Sequence, residues 1–246
     1  MAGPLEGIRV LDLTRILAGP YATMILRDLG AEVIKIEQPE TGDEARDFGP
    51  FKNDFSLYFM SVNRGKKSVT LNLKSPRGKE LFLELVKGSD ILVENFRPGT
   101  MEKLGLDYES LKKHHPSLLY AACSGFGQTG PYAMRGAYDM IIQGMGGIIS
   151  ITGEPDRPPV RVGTSIGDIT SALFTTIGII GTDISPSSIL RTTMSYYNHI
   201  VECSRSTSNC FTLGWFKCFG RPNLFPVNAI YRYQTPIRSA NEKFPI

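Results

Sequence analysis

Little in this 246-residue chain points to a membrane, a nucleic acid or a metal. No apolar run approaches the roughly 18 residues of a spanning helix, so no membrane partner is expected. The opening Met1-Ala2-Gly3-Pro4-Leu5-Glu6 has neither the basic and apolar regions of a secretory leader nor the Arg- and Ser-rich character of a transit peptide. A cytoplasmic protein is therefore the expectation. No Lys/Arg run is longer than Lys66-Lys67, and a net charge of +3 is too small to indicate a nucleic-acid partner. The cysteines (Cys123, Cys203, Cys210 and Cys218) form no CxxC pair, which predicts reduced thiols and no metal site.

What is present is an alternation of strand-like and helix-like segments over the first two-thirds of the chain. Residues 7–13 form a β-branched and aliphatic run, and residues 18–29 carry apolar side chains at helical spacing up to a terminating Gly30. Residues 31–37 and 67–73 read as two further strands. Ser75 and Pro76 open a helix as cap and first residue. Residues 90–94 and 118–122 supply two more buried strands. Strands separated by helices predict an α/β fold with a mainly parallel, Rossmann-like sheet. It is not a dinucleotide site, because no GxGxxG follows the first strand.

The composition shifts near Gly181. From Thr182 to Ile246 there are seven Lys/Arg against three Asp/Glu, whereas residues 1–181 hold 20 against 21. The expected division is a Rossmann-like domain over 1–181 and a divergent segment over 182–246, without a βαβ rhythm and with poor order expected.

Six segments, in order, resemble the class III CoA-transferase family, the group containing formyl-CoA and carnitine CoA-transferases. They are 4–20 (PLEGIRVLDLTRILAGP), 29–37 with Gly42-Asp43, 63–68 (NRGKKS), 93–99 (VENFRPG), 125–127 (GFG) and 163–168 (GTSIGD). The resemblance implies an interlocked homodimer that moves CoA from an acyl-CoA to a carboxylic acid acceptor, with both as substrates and no tightly bound cofactor. It also implies that Asp168, in Ile166-Gly167-Asp168, is the nucleophile. A carboxylate suits this chemistry: attack on a thioester carbonyl gives a mixed anhydride, which conserves acyl activation. Backbone N–H groups around Gly163 to Gly167 are expected to stabilise the oxyanions. From position alone, Asp168 also reads as an N-cap of the helix that follows.

The same resemblance carries CoA contacts onto Leu17 and Ala18, onto Leu71, Leu73 and Lys74, onto Asn95, Phe96, Arg97 and Lys103, and onto Tyr138 and Asp139. Lys74, Arg97 and Lys103 suit phosphate pairing, although each also reads as a solvated surface cation. Gln38 stands where some members place a phosphate-facing arginine, leaving Arg15 or Arg46 to compensate. Lys66-Lys67 reads as a solvated strand edge, and His114-His115 as a helix C-terminal pair. Tyr138-Asp139 occupies the place of the His-Asp dipeptide of α-methylacyl-CoA racemases, and a phenol with pKa of about 10 is a poor base near neutrality. Transfer is therefore preferred to racemisation. A CoA-binding chain without activity is the other alternative.

Overall fold

The computed structural model describes residues 3–182 and the backbone of 191–195. The elements in chain order are β1 (Arg9–Asp12), α1 (Ala18–Asp28), β2 (Glu32–Glu37), a 3-10 turn (Glu44–Asp47), β3 (Phe51–Lys52), β4 (Phe55–Ser56), α2 (Leu57–Asn63), β5 (Lys67–Thr70), α3 (Pro76–Lys87), β6 (Ile91–Glu94), α4 (Thr100–Leu104), α5 (Tyr108–Lys112), β7 (Leu119–Ser124), α6 (Asp139–Met145), a 3-10 turn (Ile149–Ile151), α7 (Ile166–Gly181) and β8 (Arg191–Ser195). The caps read from sequence are in place. Ser75 Oγ accepts from Gly78 N at 3.0 Å with Pro76 as the first residue of α3, and Gly30 follows α1 at φ +108°.

Strands β5-β2-β1-β6-β7-β8 lie side by side in one sheet, and every pairing is parallel. Successive residues point to opposite faces, so one strand feeds two cores. Leu11, Leu92, Tyr120 and Ala122 pack with Phe82, Val86, Leu106 and Leu111 beneath α3 to α5. Val10, Ile91, Val93, Leu119 and Ala121 pack with Leu26 and Ile179 beneath α1 and α7. Covered on both faces, the central strands need continuous apolar runs, and all of β6 is buried.

In the segment after Gly181, Arg191–Ser195 pairs in parallel with β7 as β8. The rest of that segment, including Cys203, Cys210 and Cys218, lies outside the described residues. Lys66 is no solvated edge. Its side chain is 2% exposed, and Nζ reaches Asp12 Oδ2 (2.9 Å), Pro20 O (2.9 Å), Thr23 Oγ1 (2.8 Å) and Asn63 Oδ1 (2.8 Å). An ammonium is buried without loss only when its protons are taken up this way. Lys67 does stay exposed, paired with Glu32. His115 bonds through Nε2 to Ser89 O at 3.0 Å, away from its own helix end.

Candidate active site

The sheet order reverses between β1 and β6: the chain runs outward through β2 and β5 on one side, and through β7 and β8 on the other. Loops leaving the C-terminal ends of such neighbours diverge and leave a crevice. The loop after β1 is pinned there atom by atom. Thr14 N donates to Asp12 Oδ1 (2.9 Å), Arg15 N to Asn95 Oδ1 (2.8 Å) and Ile16 N to Asp43 Oδ1 (3.0 Å). Asn95 Nδ2 donates back to Arg15 O (2.8 Å), and Lys35 Nζ to Thr14 O (2.6 Å). These bonds hold Ile16 at φ +70°, a strained conformation for a β-branched residue. Beneath the loop, Lys35 lies 2.9 Å from Asp43, both buried. Burial alone would raise the Asp12 carboxyl, but the Lys66 and Lys35 ammoniums outweigh it and hold it down at about 2.

The crevice opens into a cleft of about 410 Å³, within the range of small-molecule sites. Among the residues singled out from sequence, Leu17, Ala18, Asn95, Phe96, Arg97, Tyr138, Asp139 and Asp168 line it. Leu71, Leu73, Lys74 and Lys103 do not. Leu71 and Leu73 pack against the core below β5, and Lys74 and Lys103 are exposed outside the cleft. The Asn95 carboxamide is already spent on Arg15, so Asn95 shapes the wall. Of the two arginines that would stand in for the residue at Gln38, Arg46 is committed to Glu37 through two hydrogen bonds (2.8 and 2.7 Å) and lies over the Phe59 ring. Arg15 does line the cleft, over Phe96 and paired with Glu44.

The opposite wall is α6 and the start of α7. Asp168 is the third residue of α7, not its cap. The helix begins at Ile166, and the capping position, Ser165, makes no side-chain bond. Among the described residues no hydrogen bond or ion pair occupies the Asp168 carboxylate. Burial, and then the negative charge of Asp139, push its pKa up to about 6. Asp139 is fully engaged: Oδ1 accepts from Gly167 N at 2.8 Å and Oδ2 from Gln143 Nε2 at 2.6 Å. The N–H groups of Ile166 and Gly167 are thus taken, by Thr164 O and Asp139. Of the backbone N–H groups around Gly163 to Gly167 expected to face an oxyanion, these two already have acceptors in this structure. Cys123 Sγ, 3.1 Å from Ser171 Oγ, joins β7 to α7 at the cleft floor. Gln143 and Tyr58 were not anticipated. Burial, then the charges of Asp168 and Asp43, raise the Tyr58 phenol above its ordinary pKa, so it stays protonated.

The fold is thus a parallel sheet with a cleft at its switch point and, among the described residues, an unpaired carboxylate in that cleft. The chain belongs to CoA-transferase family III, whose model matches residues 5–182. It is 54% identical over 178 residues to an acetyl-CoA:oxalate CoA-transferase of Acetobacter aceti, covering 72% of this chain and 46% of that protein. It is 51% identical over 172 residues to a succinyl-CoA:glutarate CoA-transferase of Mus musculus, covering 70% and 39%. A solved CAIB/BAIF family protein from Brucella suis superposes with a TM-score of 0.70 at 47% identity, over 74% of this chain and 49% of that one. The chain spans about half the length of the curated relatives it matches. Among the described residues no helix is long and apolar enough to cross a membrane.

Proposed function

We propose that this chain carries the acyl-accepting half of a CoA-transferase, with Asp168 as nucleophile. The observation that carries the reading is the Asp168 carboxylate itself, partly buried, free of partners among the described residues and facing a cleft that also meets the β1 and β6 loops. A carboxylate without a partner keeps its lone pairs available for attack on a thioester carbonyl.

The reaction runs in two symmetric halves. Asp168 attacks the thioester carbonyl of the donor, forming a C–O bond and expelling CoA thiolate as the C–S bond breaks. The thiolate then attacks the aspartyl carbonyl of this anhydride, releasing the donor acid and leaving an aspartyl-CoA thioester. The acceptor carboxylate attacks that thioester, giving a second anhydride and free thiolate. Thiolate attack on the acceptor acyl carbon yields the new acyl-CoA and regenerates Asp168. Each step exchanges one activated acyl bond for another, so no energy source is needed.

Arg15, Arg97 and Arg135 supply positive charge along the cleft for the CoA phosphates. Lys74 and Lys103 stay in the proposal as outer contacts for the nucleotide end. The acceptor we infer is a short dicarboxylic acid, since the relatives above are named for oxalate and glutarate. Racemisation is disfavoured because Asp139, which a proton shuttle would call on, has both oxygens engaged by Gly167 N and Gln143 Nε2. A second copy of the chain is the inferred partner. Leu173, Ile177 and Ile180 lie at i, i+4 and i+7 of α7 and are 41–55% exposed, an apolar row that a homodimer would cover. A reducing, cytoplasmic setting belongs to the same reading, in keeping with the unpaired thiol of Cys123.

Hydroxylamine trapping tests the nucleophile. Incubation with succinyl-CoA and hydroxylamine is expected to convert Asp168 to its hydroxamate, read by peptide mass, and Asp168→Ala should abolish it. Equal trapping in both proteins would sink the assignment. Sedimentation at micromolar concentration tests the dimer.

A further inference from the structure

The nucleophile sits on a helix that does not cap itself. The first N–H groups of α7 need acceptors, yet Ser165 provides none. The acceptor for Gly167 N comes from a different helix: Asp139, the first residue of α6. Gly167 permits this approach, because a Cβ there would lie 3.0 Å from Asp139 Oδ1 and 3.0 Å from Ile142 Cγ2. One turn further along α6, Gln143 is completely buried. Its Nε2 donates to Asp139 Oδ2 (2.6 Å) and to Thr164 O (3.3 Å), while its Oε1 accepts from Val162 N (2.8 Å).

We propose that Gln143 is the positioning residue of the nucleophile: its buried carboxamide locks Asp139 to the 162–164 backbone, and Asp139 in turn fixes the first turn of α7 and hence the Asp168 carboxylate. This rests on the reading of Asp168 as nucleophile. Residue type supports the assignment. The task requires two N–H donors and one acceptor at the end of a side chain long enough to cross from α6 to the incoming strand of backbone. Among side chains a Gln meets this at i+4 from Asp139. Glutamate keeps the acceptor but turns two attractive contacts into repulsive ones, and methionine keeps the volume but leaves Asp139 and Val162 unsatisfied. A buried polar group that served packing alone would be replaceable by an apolar one at little cost. This one is tied to a charged capping group beside the reacting carboxylate, where charge-assisted bonds are strongest. Displacement of a reacting group by about 1 Å is enough to slow a positioned reaction by as much as ~100-fold.

The full chain is tested with succinyl-CoA as the acyl probe, following hydroxamate formation at Asp168 by mass and CoA affinity by calorimetry. For Gln143→Met we expect trapping at least tenfold slower than wild type, with CoA Kd within about twofold. Gln143→Glu keeps the side-chain size, so it serves if the methionine variant fails to fold, and the same split is expected. Wild-type trapping rates in both variants overturn the inference. So does a loss of CoA affinity in step with trapping, which would make Gln143 a structural amide only. If wild type itself is not trapped, the Asp168 reading fails and this inference falls with it, an outcome distinct from the other two.

Discussion

The two walls of the cleft are built on opposite physical terms. The wall from β1 and β6 is over-determined: Asp12, Lys66, Lys35 and Asp43 are buried charges, each answered by a neighbour, and three successive backbone N–H groups are held by side chains. The wall from α6 and α7 has one capping carboxylate, one buried amide and a carboxylate with no partner among the described residues. The first wall is held by many internal bonds, and the second leaves a carboxylate without a partner among the described residues. An unpaired buried acid costs stability, and here it stands opposite the densely bonded wall.

Removing a buried partner from the rigid wall should have the largest effect. Lys66→Met strands Asp12 in the core and is expected to cost about 3–5 kcal/mol, read as a fall in the urea midpoint. An unchanged midpoint would mean that the ion pair does not hold this wall. On the reactive wall the sign reverses. Asp168 has a folded pKa of about 6, above its ordinary value of 3.8, so the folded state binds the extra proton. Its ionised form destabilises the fold fully above pH 6, and the penalty fades as pH falls toward 4. Asp168→Asn should therefore stabilise the protein by about 2 kcal/mol at pH 8, after discounting for partial exposure, and by nothing near pH 4. A constant difference across that range would refute the raised pKa. By the same titration, hydroxamate trapping in wild type should rise with pH through about 6.

Smaller effects sharpen the contrast. Gly167→Ala forces a methyl against Asp139 Oδ1 and Ile142, and should cost about 1–2 kcal/mol while slowing trapping, measurable by melting and mass. Lys87→Ala breaks only an exposed i, i+3 pair with Glu84. It should leave the midpoint within about 0.5 kcal/mol of wild type and mark the baseline against which both walls are judged.

The sequence carried the scaffold clearly. Periodicity and capping residues read strands at 7–13, 31–37, 67–73, 90–94 and 118–122 and helices at 18–29 and from Ser75-Pro76, each within a few residues of the observed bounds, because these patterns are local and repeat at the period of the element. The family motifs carried Asp168 as a candidate. Lys66 was misread as an edge cation, since nothing local announces that Asp12, 54 residues earlier, waits beneath it. The helix containing Asp168 was placed too late by a few residues, because its cap comes from Asp139 rather than from its own preceding residue. Gln143 was missed: its i, i+4 spacing from Asp139 is a local signal, but its target, the 162–167 backbone, is not.

What this chain's sequence determined by itself is therefore the order and type of its elements and the presence of a carboxylate in a recognisable motif. Only the tertiary structure decided which charges are buried, which side chains cap which helix, and that the carboxylate of Asp168 is left unpaired among the described residues. The physical reason is range. Propensity, periodicity and capping act within a turn or two of chain. Desolvation and charge pairing depend on groups that meet only when β1, β6, α6 and α7 converge on one crevice.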